Sequence, residues 1–322
     1  MRAVQVATLD GPSAVRLVEL PEPMPAAGQV LVEVHAAGVS FPDVLQTKGL
    51  YQMKPELPFV PGAEVAGVIV SAPDGSGFGP GDRVAAFPVL GGFAERVVVD
   101  AGLVFALPDG VSFAAGAALP MNYLTVDFAL VRRGDLRAGE TVLVQGAAGG
   151  IGVASIQLAK SLDARVIAVV SSDDKAEIAH RAGADEVLRV EGFLAAAKEL
   201  TGGRGVDIVV DPVGGDRFTD NLRALAPEGR LLVVGFTGGT IPEVKVNRLL
   251  LNNISVVGVG WGAFWMRDPG YLAEQWARLH PHLASGHLDP LLGNTYPLER
   301  AAEALLEIDE RRALAKVLLT TR

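Results

Sequence analysis

The feature that most constrains the fold of this chain is a glycine-rich turn between an apolar strand and an apolar helix. Thr141–Gln145 has the pattern of a buried strand, Gly146–Gly152 carries the glycines, and Ile151–Leu162 has the apolar spacing of a helix. Glycine permits a tight turn and lets other groups approach the backbone closely. A strand that turns directly into a helix is the start of a βαβ unit, so the pattern predicts a parallel sheet.

Strands and helices alternate around this turn from about Ser112 onward. The strands are continuous apolar runs, which is typical of a parallel sheet because both of its faces are covered. The predicted strands are Arg165–Val170, Val187–Leu188, Val206–Val210 and Leu231–Val234, and the predicted helices are Asp173–Ala182, Gly192–Thr201 and Asp216–Leu225.

The first third of the chain is rich in β-branched residues instead. Short runs separated by Gly and Pro predict a small barrel or sandwich, with a helix at Phe41–Lys48. The segment Tyr271–Arg322 has two helical patterns and a final strand at Ala315–Thr320, and we expect it to return to this first domain. The predicted strands are Ala3–Ala7, Val15–Glu19, Val30–Ala36, Gly62–Ser71, Arg83–Phe87 and Ala94–Asp100.

Composition narrows the class of protein. A length of 322 residues favours two domains, and the net charge of −9 argues against nucleic acid and anionic membranes as partners. The absence of cysteine excludes disulfides, thiolate metal sites and a cysteine nucleophile. The N-terminus lacks the pattern of a signal peptide, and no apolar run is long enough to span a bilayer, so we expect a soluble cytoplasmic protein.

The spacing of the glycines in the turn predicts what it binds. Gly149 and Gly152 occupy the second and third glycine positions of the dinucleotide fingerprint, and Ala147 replaces the first. The helix that follows offers unpaired N–H groups and the positive end of its dipole to phosphates. We therefore predict a nicotinamide dinucleotide on Gln145–Gly152, used for hydride transfer without a metal.

The end of the next strand bears on the choice of nicotinamide cofactor. NAD-selective sites place an acid there, whereas Ser171 is neutral and small and leaves room for a 2′-phosphate. Lys175 and Arg189 are placed to pair with that phosphate. Asp173 and Asp174 argue the other way, unless they only cap the following helix. The balance favours NADPH.

One further strand carries a prediction about assembly. Ile254–Val259 has no charged residue, and an uncharged strand at a sheet edge is prone to pair with another chain. Our hypothesis is that it pairs with its own copy in a homodimer.

Seven short motifs, spread over most of the chain, point to a family. They are Ala37–Asp43, Gly49–Tyr51, Pro58–Gly67, Gly81–Val84, Gly92–Glu95, Ala147–Gly152 and Val210–Gly215. Together they resemble the zinc-free, ζ-crystallin-like quinone oxidoreductases of the medium-chain dehydrogenase/reductase superfamily.

This resemblance implies an α/β fold with a GroES-like β-rich catalytic domain and a Rossmann domain, a doubly wound parallel sheet. The catalytic domain is then expected at residues 1–121 and 262–322, and the Rossmann NADPH-binding domain at 122–261. The resemblance also implies a dimer through the last Rossmann strand.

The prediction of a metal-free site can be tested by comparison with the zinc-ligand positions of the zinc-dependent relatives. The positions of their ligands correspond to Ser40, Ala63 and Met121, none of which is a suitable ligand, and only Glu64 remains. The five histidines do not rebuild the site; His280 and His282, two residues apart on a helix, point to different faces.

The catalytic residues are expected among hydroxyl and amide donors, because hydride addition leaves negative charge on an oxygen. The resemblance places Tyr51 and the segment Asn122–Thr125, which includes Tyr123, around the nicotinamide pocket. Ser40 stands where the family usually has Asn. Asp43 matches a family Asp, and a structural role for it as a hydrogen-bond acceptor is equally open.

The remaining cofactor contacts are expected from loops that end the parallel strands, since such loops line the ligand crevice in open α/β sheets. Lys316 is added because it matches a family Lys, which implies proximity to the cofactor; a solvated lysine in the final strand region is the alternative. The full predicted set is Ala148, Gly149, Gly150, Ile151, Gly152, Ser171, Ser172, Lys175, Arg189, Val213, Gly235, Phe236, Thr237, Val259, Gly260 and Lys316.

Three functions stay open on the sequence alone. The leading one is reduction of a quinone by NADPH. The second is NADPH-dependent reduction of an activated C=C bond, in an enoyl or acryloyl thioester or a 2-alkenal. The third is a non-enzymatic NADPH-binding protein with a crystallin-like or RNA-binding role, which the negative charge disfavours.

Overall fold

The computed structural model describes residues 1–268 and 270–321, and its contacts divide the chain into two compact units. The first unit comprises Met1–Asn122 with segments 270–285 and 290–321. The second comprises Tyr123–Asp268 with Gly286–Asp289. The expectation of a β-rich domain and a parallel-sheet α/β domain is confirmed.

The first unit is built on a seven-stranded, mainly antiparallel sheet. The strands of the unit are β1 (Arg2–Gln5), β2 (Arg16–Glu19), β3 (Gln29–Gly38), β4 (Glu64–Ser71), β5 (Arg83–Ala86), β6 (Arg96–Asp100), β7 (Val104–Ala106), β14 (Leu292–Pro297) and β15 (Lys316–Thr320). Five strands of the large sheet form the path β15, β3, β4, β5, β7, with β14 parallel to β15 at one edge and β6 pairing with β3. The pair β1 and β2 forms a separate small sheet.

Four helices belong entirely to this unit, α1 (Phe41–Thr47), α2 (Phe113–Gly116), α10 (Gly270–Ala284) and α11 (Ala301–Asp309). Apolar side chains of β3, β4 and β15 pack with α11 in one core cluster. The division between the units falls within α3 (Pro120–Asp127), which continues as a π-helical turn over Phe128–Arg133.

The second unit contains a six-stranded, wholly parallel sheet of β8 (Thr141–Gln145), β9 (Arg165–Val170), β10 (Glu186–Arg189), β11 (Val206–Asp211), β12 (Leu225–Val233) and β13 (Ser255–Gly258). The order of these strands in the sheet is β10, β9, β8, β11, β12, β13. The helices are α4 (Gly150–Ser161), α5 (Asp173–Arg181), α6 (Phe193–Leu200), α7 (Phe218–Ala224), α8 (Asn247–Asn252) and α9 (Trp261–Trp265). The strand order reverses at β8, so the glycine turn lies at the switch point where such sheets bind ligands.

Some boundaries differ from the sequence prediction. Strands β7 and β14 were not predicted, since β7 is only three residues long and β14 is largely exposed and carries Gly, Asn and Thr. Helix α9 belongs to the second unit, where the ring of Phe264 lies 5.1 Å from that of Phe128. The second unit therefore extends past residue 261.

Candidate active site

The glycine turn leads from β8 into α4. Gly146 has a φ of 59°, which is left-handed backbone, and Gly149 is the extended residue before the helix. A Cβ at Gly152 would lie 2.4 Å from the carbonyl oxygen of Gly146 and 2.5 Å from backbone atoms of Ala147. Only glycine fits at position 152 because the helix packs directly on the turn.

The start of α4 is open to a ligand. Gly149 has no side chain, so no side-chain cap covers the N–H groups in the first turn of this 12-residue helix. A Cβ at Gly149 would meet only the oxygen of Gly146, at 3.5 Å. This turn fits a pyrophosphate, which the N–H groups and the helix dipole stabilise.

The other predicted cofactor residues gather at the same edge of the sheet. The carboxyl ends of parallel strands meet at one edge, and each predicted loop follows such an end. Ser171 and Ser172 follow β9, Arg189 ends β10, Val213 follows β11, Gly235, Phe236 and Thr237 follow β12, and Val259 and Gly260 follow β13. Lys316 is the exception, since it lies in β15 of the first unit.

A buried polar chain beneath this edge was not predicted. The Gln145 Nε2 donates to Asn221 Oδ1 at 2.7 Å, and Asn221 Nδ2 donates to Asp211 Oδ2 at 3.0 Å. The other oxygen of Asp211 accepts from the backbone N–H groups of Val213 and Gly214, both at 2.9 Å. These hydrogen bonds fix the loop after β11 relative to β8. The feature of the sequence that could have indicated this network is the polar residue Gln145 at the end of an apolar strand.

The residues predicted to bind the 2′-phosphate lie at or after the carboxyl ends of the neighbouring strands β9 and β10. Lys175 Nζ lies 3.4 Å from Ser171 Oγ, and Arg189 forms an ion pair with Asp173 at 2.9 Å. The suggestion that Asp173 and Asp174 cap the helix is wrong. Ser172 is the N-cap residue and α5 begins at Asp173, so both acids lie in its first turn.

The first unit contains a buried polar cluster around Ser40. The Lys316 ammonium donates to Ser40 Oγ at 2.7 Å and forms an ion pair with Glu64. Ser40 Oγ in turn donates to Glu64 Oε1 at 2.9 Å, and the second carboxylate oxygen accepts from the N–H of Met121 at 2.9 Å. The side chains of Lys316 and Glu64 are 5% and 0% exposed. This ion pair accounts for the burial of Lys316, and its contact with the cofactor stays a prediction.

Asp43 lies beside this cluster, in the first turn of α1. Its carboxyl group accepts from the N–H groups of Ser40 at 2.8 Å and Gly62 at 3.2 Å, so the structural role considered from the sequence is present. Burial raises the pKa of Asp43 to about 7 against the opposing effect of these hydrogen bonds and of Lys316. A catalytic role is compatible with this carboxyl group and stays a prediction.

The other predicted proton donors differ in their burial and in the hydrogen bonds that they already make. Burial, and secondarily the charge of Asp43, raise the pKa of the Tyr51 phenol. Tyr123 is fully buried and donates its hydroxyl to Gln157 Oε1 at 2.6 Å, which commits it to a structural bond. Asn122 and Thr125 are buried, and the amide of Asn122 has a long contact of 3.4 Å to Ala118 O.

The zinc position of related enzymes can be tested on these contacts. Zinc requires Cys, His or carboxylate ligands around it, whereas here the Lys316 ammonium lies against Ser40 and Glu64. A buried ammonium at that place repels a dication. Among residues 1–268 and 270–321, no group of three His, Cys, Asp or Glu could hold a metal ion. The residues present do not fit catalytic zinc.

Within the same described residues, none of the helices has the length and apolar character needed to cross a membrane.

Comparison with protein families supports the division of the chain. The family described as "Alcohol dehydrogenase GroES-like domain" matches residues 26–109, and the family described as "Zinc-binding dehydrogenase" matches residues 150–280. The second name describes its family, since the ligand positions in this chain do not fit zinc.

Comparison with individual proteins gives the closer relationship. Quinone oxidoreductase-like protein 2 of Bos taurus is 39% identical over 298 residues, which is 91% of this chain and 85% of that protein. The solved structure of a probable oxidoreductase from Mycobacterium abscessus is 48% identical, with a TM-score of 0.91 and coverage of 99% and 98%. That of the quinone oxidoreductase from Thermus thermophilus, solved also with NADPH, is 35% identical, with a TM-score of 0.86 and coverage of 99% and 100%. The resemblance seen in the sequence motifs is confirmed, and the chain belongs to the quinone oxidoreductases of the medium-chain dehydrogenase/reductase superfamily.

Proposed function

We propose that this protein is an NADPH-dependent quinone oxidoreductase that transfers hydride without a metal. The observation that carries the proposal is the uncapped start of α4 against the glycine turn, at the switch point of a parallel sheet. The names of its relatives support the same reaction, and several of their solved structures contain NADPH.

The residues of the second unit bind and orient the cofactor. The N–H groups of Gly150, Ile151 and Gly152 start α4 and hold the pyrophosphate, with Ala148 and Gly149 forming the approach. The loops after β11, β12 and β13 hold the ribose and nicotinamide through their backbone. When bound, the nicotinamide supplies the hydride.

The residues of the first unit supply the proton chemistry in this proposal. Reduction of a quinone requires one proton besides the hydride, and the donors in this proposal are Tyr51 and Asn122. Burial raises the pKa of the Tyr51 phenol, and the charge of Asp43 acts on the phenol and raises it further. Thr125 of α3, a residue of the second unit, is the further candidate. Ser40 is a weaker donor than the sequence suggested, because its hydroxyl proton is already donated to Glu64.

The preference for NADPH is tested at Lys175. Replacing Lys175 by Ala removes a cation beside Ser171, and we expect the affinity for NADPH to fall about tenfold while that for NADH is unchanged. Calorimetric titration with both cofactors measures the effect, and Lys198→Ala on α6 is the matched control. Equal losses for NADPH and NADH would contradict the assignment of Lys175 to the 2′-phosphate.

The choice of acceptor is tested by an activity screen. NADPH oxidation is followed with 1,4-benzoquinone, 9,10-phenanthrenequinone, crotonyl-CoA and acrolein. We expect the quinones to be reduced fastest. Preferential reduction of crotonyl-CoA or acrolein would replace the proposal with reduction of activated C=C bonds. Tight NADPH binding without turnover of any acceptor would favour the non-enzymatic alternative.

We further propose a homodimer through β13. This strand is the edge of the parallel sheet, and Val256 and Val257 are only partly covered. Leu250 and Leu251 on the preceding helix are 76% and 74% exposed, which is unusual for leucine. Light scattering is expected to give twice the chain mass of 33.6 kDa, and a clean monomer at micromolar concentration would contradict the dimer.

The cytoplasmic location also stays a prediction, which cell fractionation would test.

A further inference from the structure

The charges buried around Ser40 do not balance. As whole residues, Asp43, Glu64 and Lys316 are 1%, 0% and 4% exposed, so two carboxyl groups share one ammonium group away from water. A buried charge requires a partner, and a carboxyl group without one takes up a proton instead. Which of the two acids is left over follows from the contacts.

Lys316 is committed to Glu64. Its ammonium donates to both Ser40 Oγ and Glu64 Oε1, and Ser40 Oγ donates to the same carboxylate oxygen. Glu64 therefore accepts three hydrogen bonds in all, including the one from Met121 N–H. These contacts commit the ammonium group of Lys316 to Glu64.

Asp43 is the acid left over. Its hydrogen-bond partners are backbone N–H groups, of Ser40 and Gly62. Lys316 and Glu64 are charged groups that act on Asp43, and the charge of Asp43 acts in turn on the phenol of Tyr51. On α11, which packs against α1, Asp309 is neutralised by Lys48 at 2.6 Å. The pKa of about 7 agrees with this arrangement, in which burial opposes ionisation.

We propose that Asp43 stores the proton taken up by the reduced acceptor, and that Lys316 and Glu64 are positioning residues that keep this role on Asp43. The inference rests on the proposed function. Hydride transfer to a quinone leaves an oxygen anion on the product. In one concerted step, the product O–H bond forms with the proton of Tyr51, whose O–H bond breaks, while the O–H bond of Asp43 breaks and the O–H bond of Tyr51 is restored. The Asp43 carboxylate then regains a proton from solvent.

The protonation of Asp43 can be measured without turnover. Protein labelled with ¹³C at the aspartate carboxyl carbon is titrated by NMR, and the resonance missing in Asp43→Asn is assigned to Asp43. We expect this resonance to titrate near pH 7. Full ionisation at pH 5 would overturn the proposal. If Asp43→Asn does not fold, the resonance that moves in Glu64→Gln gives the assignment.

The role in the reaction is measured by pH profiles of single-turnover NADPH oxidation with a quinone. Because the protonated form is the active one, the rate is expected to fall above pH 7, by about a hundredfold at pH 9. In Glu64→Gln, Lys316 becomes free to pair with Asp43, and the fall is expected at lower pH. In Lys316→Met the fall is expected at higher pH, and the double variant is expected to lie between the two.

Opposite shifts in two variants that both retain Asp43 are not produced by a merely structural role. Profiles that are flat in the wild type, or that move in the same direction in both variants, would overturn the inference while leaving quinone reduction in place. Titration near pH 7 without turnover of any quinone would instead show that the proposed function is wrong, and proton delivery with it.

Discussion

Replacing Gly152 by Ala is expected to weaken NADPH binding by about a hundredfold and to destabilise the protein by about 1–3 kcal/mol. The new Cβ would lie 2.4–2.5 Å from backbone atoms of Gly146 and Ala147, which are not free to rotate away as a side chain would be. Helix α4 must then move off the turn, and its N–H groups move away from the pyrophosphate.

Calorimetric titration measures the affinity, and urea denaturation measures the free energy of unfolding. Gly102→Ala is the control, because a Cβ there meets no atom within 4 Å and the backbone is not left-handed. NADPH affinity retained within twofold in Gly152→Ala would remove the glycine turn from the cofactor site.

Replacing Lys316 by Met is expected to lower the free energy of unfolding by about 3–5 kcal/mol, the largest effect on stability that we predict. The variant leaves the Glu64 carboxylate, which is 0% exposed, without its cation. The loss is therefore the cost of an unpaired buried charge, and a surface pair of the same geometry would contribute about 0–1 kcal/mol.

The same reasoning predicts a rescue. Adding Glu64→Gln to Lys316→Met removes the unpaired charge, and we expect most of the lost stability to return, as measured by urea denaturation at pH 7. Lys48→Met is the matched control, since Lys48 pairs with Asp309 in a partly exposed position. Additive losses in the double variant would show that Lys316 contributes through packing and not through its charge.

The parts of the site that are local in sequence were predicted, and those assembled over long distances were not. The glycine turn is encoded by residues within one βα unit. The glycines themselves indicate where the backbone needs a tight turn or a close approach. The ion pair of Lys316 with Glu64 joins residues 252 positions apart. It forms because β15 pairs with the end of β3, placing Leu318 opposite Gly38, a register that no short pattern specifies.

Arg189 illustrates a second limit of the sequence. Its position after a strand of the parallel sheet was predicted, and it is indeed the last residue of β10. Its ion pair with Asp173 was not predicted, because the two residues were considered separately: Arg189 as a group that favours NADPH, and Asp173 as one that disfavours it. Pairing makes them one unit, in which Asp173 orients the guanidinium group and also competes with a phosphate for it.

The central claim is that a nicotinamide held on the glycine turn reduces a quinone without a metal. The most direct measurement is single-turnover oxidation of one equivalent of NADPH per chain, with 9,10-phenanthrenequinone, in protein treated with a chelator. We predict that the absorbance of the bound NADPH disappears when the quinone is added. NADH is expected to be oxidised more slowly at equal concentration, and added zinc is expected to leave the rate unchanged. Absence of oxidation with the quinone, or oxidation only after zinc is added, would contradict the account.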